Sequence, residues 1–196
     1  MNFKEYKYLI LSDLYRHVGE ATLSSLIHQL IFGESYKYNF WMRTCAFSIR
    51  RPLLRLTLYP LARLMWKHYM YKLGIAIDPS TEIGSGFYIG HFGGIVVHEK
   101  CRIGKNCNIH QGVTLGVANR GRSKGCPSIG DNVYIGPGAK IFGNVRIGHN
   151  AAIGANAVVT KDVPDDAVVV GIPGKVISHE GSVGYVNKTD YEDRIG

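Results

Sequence analysis

Long apolar runs are missing from this chain of 196 residues. A membrane-spanning helix needs a run of about 18 or more apolar residues, and Arg55, Arg63 and Lys67 interrupt the best candidate, residues 53–70. The first residues also lack the basic, apolar and small-residue order of a secretory signal. We therefore expect a cytoplasmic protein.

Paired cysteine motifs are missing as well. The four cysteines, Cys45, Cys101, Cys107 and Cys126, follow neither a CxxC nor a Cys/His zinc spacing. A reducing cytosol keeps such thiols free, and the histidines show no His-x4-His pair. The sequence therefore predicts free cysteines and no metal site.

Acidic residues are absent between Glu34 and Asp78, so the formal net charge of +8 is concentrated in one segment. The basic residues of that segment are Lys37, Arg43, Arg50, Arg51, Arg55, Arg63, Lys67 and Lys72. Nucleic-acid binding needs a recognisable fold besides charge, and we expect no nucleic-acid partner. Two interpretations stay open: peripheral contact with the inner face of an anionic membrane, or a helical cap whose basic residues face water.

An aliphatic residue recurs at every sixth position in the C-terminal half of the chain. The column comprises Ile129, Ile135, Ile141, Ile147, Ile153 and Val159. A period of six is too short for a helical repeat and indicates a short strand plus a turn, with the aliphatic residue pointing inward. Three hexads make one triangular coil, and stacked coils bury each other's apolar column.

The hexads are interrupted twice, and the helical period lies elsewhere. Residues 90–94 and 117–128 are insertions, which is where solenoids tend to carry their chemistry. Apolar residues at three and four spacing predict about three helices before Gly74, with Pro60 as a kink or a new turn. We expect a helical region at 1–73, a solenoid at 74–177 and a polar tail at 178–196.

Three motifs appear together with the hexads: Gly-His-x-x-Gly at residues 90–94, Gln-Gly-Val-Thr-Leu-Gly at 111–116, and Gly-Ile-Pro-Gly-Lys at 171–175. With them the chain resembles the hexapeptide-repeat acetyltransferases, in particular serine acetyltransferases and the O-acetyltransferases of colanic acid and capsule synthesis. The resemblance implies a mainly β fold, a left-handed parallel β-helix with an N-terminal α-helical cap. It also implies a homotrimer that uses acetyl-CoA.

The resemblance implies roles for particular residues. His91 matches the general base that deprotonates the acceptor hydroxyl. Ala76 stands where the family has the Asp that orients this histidine, so we expect Asp78, or a backbone carbonyl, to take over that task. The matching contacts to acetyl-CoA are Gly116, Pro137 and Ala155, with Lys161 and Lys175 near its phosphates.

The acceptor is the point at which the chain departs from serine acetyltransferases. Gly90 replaces an Asp that grips serine, and Cys126 stands in a loop that otherwise reads Arg-His-Pro and holds the serine carboxylate. The candidate acceptor contacts here are His110, Arg120, Arg122 and Cys126. We expect an acyltransferase that acetylates a sugar hydroxyl in surface glycan synthesis. The alternatives are L-serine, acetylated on the route to cysteine, and a non-catalytic hexapeptide scaffold.

Overall fold

The structure, a computed structural model, describes residues 1–195; Gly196, the last residue of the predicted tail, lies outside the described residues. Helices come first: α1 (Phe3–Val18), α2 (Leu23–Ile31), α3 (Tyr36–Ser48), α4 (Pro52–Leu56) and α5 (Leu58–Leu73). Among residues 1–195, none of the helices combines the length and apolarity that crossing a bilayer requires.

Five helices precede the solenoid, so the prediction of three was wrong. Gly19, in the left-handed conformation, ends α1, and Thr22 begins α2 with a capping box. Pro52 is the first residue of α4. Pro60 lies in the first turn of α5, where the missing N–H would have no helical partner, and so it is tolerated there.

Up to residue 195, fifteen short strands follow the helices and form three sheets. Sheet A contains β1 (Ile75–Ile77), β4 (Ile95–Val97), β7 (Thr114–Gly116), β10 (Lys140–Phe142) and β13 (Val158–Val159). Sheet B contains β2 (Glu82–Ile83), β5 (Arg102–Ile103), β8 (Ser128–Ile129) and β11 (Arg146–Ile147). Sheet C contains β3 (Tyr88–Ile89), β6 (Asn108–Ile109), β9 (Tyr134–Ile135), β12 (Ala152–Ile153), β14 (Val168–Val170) and β15 (Lys175–Ser178). A short helix, α6 (Glu192–Ile195), ends the described chain.

The chain visits the three sheets in turn, which confirms a β-helix capped by N-terminal helices. All pairings between coils are parallel. Among residues 1–195 the antiparallel pairs are β14 with β15, which closes the far end, and a single bridge inside the second insertion. The hexad anchors stack in register, for example Ile89 on Ile109 on Ile135 on Ile153. Both insertions leave this register intact because each lies at a corner between two sheets.

Each strand has a second interior position, two residues before its anchor. Val113, Ala139 and Ala157 fill it with no measurable exposure, whereas the larger Phe87 and Ile95 fill it in the coils nearest the helices. Cys101 and Cys107 occupy the same position in two other strands. Burial raises the pKa of each of these thiols to about 12, so these two cysteines are core residues.

A ladder of asparagines lines one corner of the β-helix. Asn106, Asn132 and Asn150 adopt positive φ angles of 56–58°, a conformation that asparagine tolerates better than most residues. The side chains are joined by hydrogen bonds of 2.9 and 3.0 Å, and Asn150 donates to Asp166 at 3.1 Å. The sequence carries the signal, an Asn or Asp three residues after Ile103, Ile129, Ile147 and Val163.

A buried ion pair connects the helices to the first coil. Arg43 of α3 binds Asp13 of α1, with Nε 3.0 Å from Oδ2. Its guanidinium also donates to the carbonyls of Ile83 and Gly84, both at 2.7 Å, and Asp13 accepts from the Phe87 amide at 2.8 Å. The charged groups are thus satisfied by backbone groups of the solenoid, as buried charges require.

The tail, for which the sequence predicted only polarity, packs back onto the molecule. Tyr191 is fully buried, and its hydroxyl donates to Asn106 of the ladder at 2.6 Å. The hydroxyl of Tyr15 in α1 donates to Asp190 at 3.1 Å. The division into regions at residues 73/74 and 177/178 stays a prediction.

The hydroxyl of Tyr38 in α3 links the helices to the first strand of the solenoid, and its removal tests that link. This buried hydroxyl donates to the Ile77 carbonyl at 2.7 Å and accepts from the Ile77 amide at 2.9 Å and from Trp66 Nε1 at 3.0 Å. Tyr38→Phe leaves two buried N–H groups without an acceptor, so we expect the free energy of unfolding in urea to fall by about 2–4 kcal/mol.

The matched control is Tyr36→Phe. Tyr36 is equally buried, but its hydroxyl makes a single hydrogen bond, to the Ile10 carbonyl at 3.1 Å. We expect this variant to lose about 1 kcal/mol. Equal losses for the two variants would show that the Tyr38 hydroxyl does not hold the interface.

Candidate active site

The first insertion raises a histidine above the surface. Residues 90–94 connect β3 to β4, and His91 and Phe92 are exposed at the tip. Gly93 and Gly94 have φ angles of 108° and 66°, which side chains with a Cβ rarely adopt. The glycines therefore allow the sharp return of the chain that leaves the His91 imidazole accessible.

His110 lies beside His91, with 6.3 Å between the ring centroids. Its ring rests on Gly90, where an added Cβ would lie 2.5 Å from His110 Nδ1. Burial, and to a smaller extent the neighbouring His91, lowers the pKa of His110, so its imidazole is neutral at neutral pH. Within residues 1–195 its Nε2 atom has no hydrogen-bond partner.

A row of aromatic rings continues from His110 along the face of sheet C. The ring of Tyr134 lies 5.1 Å from that of His110, and Tyr185 follows at 4.5 Å. The sequence analysis named neither tyrosine. Tyr185 comes from the tail, so the sequence does not show that it lies beside Tyr134. The row carries no formal charge, so the surface next to His91 is aromatic and neutral.

We call the side on which the strands of sheet A begin the entry edge (residues 90–94, 111–112, 137–138 and 155–156). Small residues of this edge stack in layers below the His91 loop. Backbone hydrogen bonds join its layers: Gly112 N to Gly93 O, Gly138 N to Gln111 O, and Asn156 N to Pro137 O, at 2.7–2.8 Å. Of the predicted contacts to acetyl-CoA, Pro137 and Ala155 lie here, on the same edge as His91.

The opposite side, where the strands of sheet A end, is the exit edge (residues 78–80, 98–100, 116–128, 142–144 and 160–162). Three residues of strand span about 10 Å between the two edges. Gly116 and Lys161 lie on the exit edge, and Lys161 shares a cleft of about 190 Å³ with Lys175. A single chain therefore does not bring all the predicted donor contacts together.

Both the position of Gly116 and the residues around it differ from those predicted for a contact to acetyl-CoA. We expected its lack of a side chain to expose the backbone to the pantetheine arm. Instead the ring of Phe142 from the next coil covers it, filling the space where a Cβ would stand. The glycine makes room for Phe142.

Within one chain Asp78 does not pair with His91, as we had expected it to. The chain turns at Asp78, whose Oδ1 accepts from the Ser80 amide at 2.8 Å and from its hydroxyl at 2.6 Å. Asp78 follows β1 and therefore lies on the exit edge, whereas His91 lies on the entry edge. Among residues 1–195 no hydrogen bond of the His91 side chain is found, so its orienting partner is not supplied within the described chain.

The second insertion also projects from the exit edge. Ala118 and Gly125 pair through two backbone hydrogen bonds of 2.9 and 3.0 Å, which close the loop. Arg120 and Arg122 are exposed at its tip. The structure thus separates these two candidate acceptor contacts from His91 within one chain.

Cys126, at the base of this loop, contacts a histidine that the sequence analysis left as a solvated turn residue. Its Sγ lies 3.4 Å from Nδ1 of His98. The same Nδ1 accepts a hydrogen bond from the Lys100 amide at 3.2 Å, so it is unprotonated and the thiol is the donor. Cys126 is half-buried and, like Arg120, distant from His91 in the single chain.

A triangular hexad coil with an exposed histidine on a glycine loop, next to an edge of small residues, is the architecture of a hexapeptide-repeat transferase. The family "Bacterial transferase hexapeptide (six repeats)" matches residues 126–161. The serine acetyltransferase of Staphylococcus xylosus is 48% identical over 123 residues, which cover 63% of this chain and 57% of that protein.

Solved structures agree with this match. Soybean serine acetyltransferase complexed with serine superposes with a TM-score of 0.71 at 31% identity, over 88% of this chain and 70% of that chain. Serine acetyltransferase from Brucella abortus in complex with coenzyme A gives a TM-score of 0.74 at 26% identity, over 91% and 70%. The chain belongs to the hexapeptide-repeat transferases and within them resembles the serine acetyltransferases. It spans little more than half the length of the Staphylococcus relative.

The contact between His110 and Gly90 can be tested by a double-mutant cycle. The backbone of Gly90 is not in the left-handed region, so Gly90→Ala introduces mainly the clash with the His110 ring, beside a tight contact of 3.3 Å with Tyr88 Cε1. We expect this substitution to cost about 1–3 kcal/mol of unfolding free energy in the native background. With His110→Ala already present, the cost should fall close to zero, giving a positive coupling. Equal costs in both backgrounds would show that the ring does not rest on Gly90.

Proposed function

We propose that the protein is an acetyl-CoA-dependent O-acetyltransferase in which His91 is the general base. The observation that carries the proposal is the position of His91, exposed on a glycine loop at the top of the entry edge. A histidine titrates close to neutral pH, and its proton transfer typically contributes about 10²–10⁴ to the rate.

The residues present fit coenzyme A in two half-sites. Pro137 and Ala155 form a shallow stacked edge along which a pantetheine arm can approach the backbone. Lys161 and Lys175, which share one cleft on the other side, suit phosphate groups as point charges. When bound, acetyl-CoA supplies an activated acetyl group to the acceptor.

The chain itself supplies the proton chemistry. The His91 imidazole accepts the proton of the acceptor hydroxyl as the oxygen becomes a nucleophile, and it returns that proton to the leaving sulfur. His110 is neutral, so it does not repel the imidazolium that forms at His91. The ring of His110 and the glycines around His91 limit where the acceptor can lie.

For the acceptor, the comparisons favour L-serine over the sugar hydroxyl that the sequence analysis placed first. The relatives are named serine acetyltransferases, and the soybean enzyme was solved in complex with serine. Serine carries a carboxylate that needs a cationic partner. The ammonium of Lys140 reaches the entry edge, but it is already held by the Gly112 carbonyl and the Thr114 hydroxyl. Arg120 and Arg122 are cations that can meet it, if the loop that carries them reaches the His91 site from a neighbouring subunit.

We therefore propose a homotrimer in which the exit edge of one chain faces the entry edge of the next. Such an arrangement places Lys161, Arg120 and Arg122 of a neighbour opposite His91 and Pro137. It also joins the two half-sites for coenzyme A, which one chain holds about 10 Å apart or more. The support for assembly is this division of the predicted site between two edges.

A sugar hydroxyl is the second candidate. The row of rings formed by His110, Tyr134 and Tyr185 offers neutral apolar faces beside His91, and Cys126 provides no charge for a carboxylate. These features suit an uncharged acceptor with an apolar face better than an amino acid.

Substitution of His91 tests the proposed base. We expect His91→Ala to lower kcat by about 10²–10⁴, with an unchanged far-UV circular dichroism spectrum because the side chain is exposed. His149→Ala is the control, since His149 is also exposed on a coil but lies in a turn away from the entry edge. Near-normal turnover by His91→Ala would remove His91 from the mechanism.

Release of coenzyme A from acetyl-CoA discriminates the acceptors. The assay compares L-serine with a panel of nucleotide sugars and oligosaccharides, each with the native protein and with His91→Ala. We expect His91-dependent release with L-serine. Release with a sugar alone would establish the second candidate, and no release with any acceptor would support a non-catalytic scaffold.

A further inference from the structure

The helix pair α4 and α5 exposes leucines that no part of the described chain covers. In α4 no residue is buried, and Leu53 and Leu56 are 74% and 81% exposed. In α5, Leu61 and Leu64 are 51% and 67% exposed. Each pair has a spacing of three and so lies on one face of its helix. Concentrated exposed leucines of this kind mark an interaction surface.

The charges around these leucines have one sign. Arg50, Arg55 and Arg63 are exposed, and none of them makes an ion pair within residues 1–195. Arg50 and Arg63 line a cleft of about 240 Å³ together with Lys67. Its one acidic residue, Asp78, is held by Ser80. The leucine face is therefore bordered by unpaired cations.

We propose that α4 and α5 dock the protein on an anionic lipid surface. The leucines enter the boundary between headgroups and acyl chains, and Arg50, Arg55 and Arg63 meet the lipid phosphates, as in amphipathic helices that lie in the interface plane. Charge decides between occupants. A second copy of this chain that docked through the same face would bring an equally basic surface against this one, and like charges facing each other oppose such a contact. The trimer proposed above joins other surfaces, the two edges of sheet A.

A second apolar stripe on the molecule lacks this combination. In α2, Leu23, Ile27 and Ile31 are exposed at a spacing of four, but the flanking charged residues include Glu20 and Glu34. Hydrophobic exposure without surrounding cations offers no attraction to an anionic bilayer. The α2 stripe is thus a built-in control for the proposal.

Vesicle flotation with the full-length protein tests the proposal. We expect binding to phosphatidylglycerol–phosphatidylcholine vesicles, weaker binding as salt is raised, and little binding to pure phosphatidylcholine. We expect Arg50→Ala/Arg55→Ala to lower the partition coefficient about tenfold or more, since each basic residue near the surface contributes about fivefold. Leu53→Ser/Leu56→Ser removes the apolar contact with the bilayer and should also lower the partition coefficient about tenfold or more. The substituted side chains are exposed, and circular dichroism verifies that both variants fold.

Two control variants carry the same chemical changes elsewhere. Leu23→Ser/Ile27→Ser removes exposed aliphatic residues of α2, and Arg120→Ala/Arg122→Ala removes two exposed charges of the second insertion. Both should partition like the native protein. Losses equal to those of the α4 variants, binding independent of lipid charge, or no binding at all would overturn the proposal. A change of oligomeric mass in Leu53→Ser/Leu56→Ser without vesicle binding would instead make this face a contact between copies. None of these measurements depends on acetyl transfer.

Discussion

The interior of the β-helix admits two inward-pointing side chains per strand, an aliphatic anchor and the residue two positions before it, and the rest of the structure depends on that steric limit. Anchors such as Ile109 and Ile135 stack directly on each other, and Cys107 and Val133 fill the positions two residues earlier. Close packing of this kind leaves no freedom for an insertion within a strand. Extra residues are accommodated only at corners, which is where both functional loops lie.

The first coil cannot stack on a coil before it, so the helices cover it with polar and apolar groups together. The ion pair of Asp13 and Arg43 satisfies backbone groups at the start of the solenoid, and the Tyr38 hydroxyl satisfies both polar atoms of Ile77. Orphaned backbone groups at the end of a buried coil would cost free energy. The same docking leaves the outer faces of α4 and α5 uncovered, with the leucines and arginines through which we propose membrane contact.

The site is organised by the two edges of sheet A. His91, Pro137 and Ala155 share the entry edge, while Lys161 and the second insertion project from the exit edge. Because the strands of sheet A hold these two edges apart, we propose that a second chain completes the site. The predicted acceptor contacts lie on both edges. Neutral rings stand beside His91, and the cations of residues 120–124 stand on the exit edge.

The sequence by itself determined the solenoid, its register and the loop that presents His91, because a period of six and glycines at a protrusion are local properties of the chain. The sequence pattern also predicts the corner asparagines and the interior positions of Cys101 and Cys107, which the sequence analysis did not identify. The helix count depended on capping by Thr22 and on the position of Pro60 within a first turn. Only the tertiary structure decided that Asp78 turns away from His91, that His110 rests on Gly90 and that Tyr185 returns from the tail. Those contacts join residues from different coils or from the tail, and a linear pattern does not record which edge of a sheet each of them reaches.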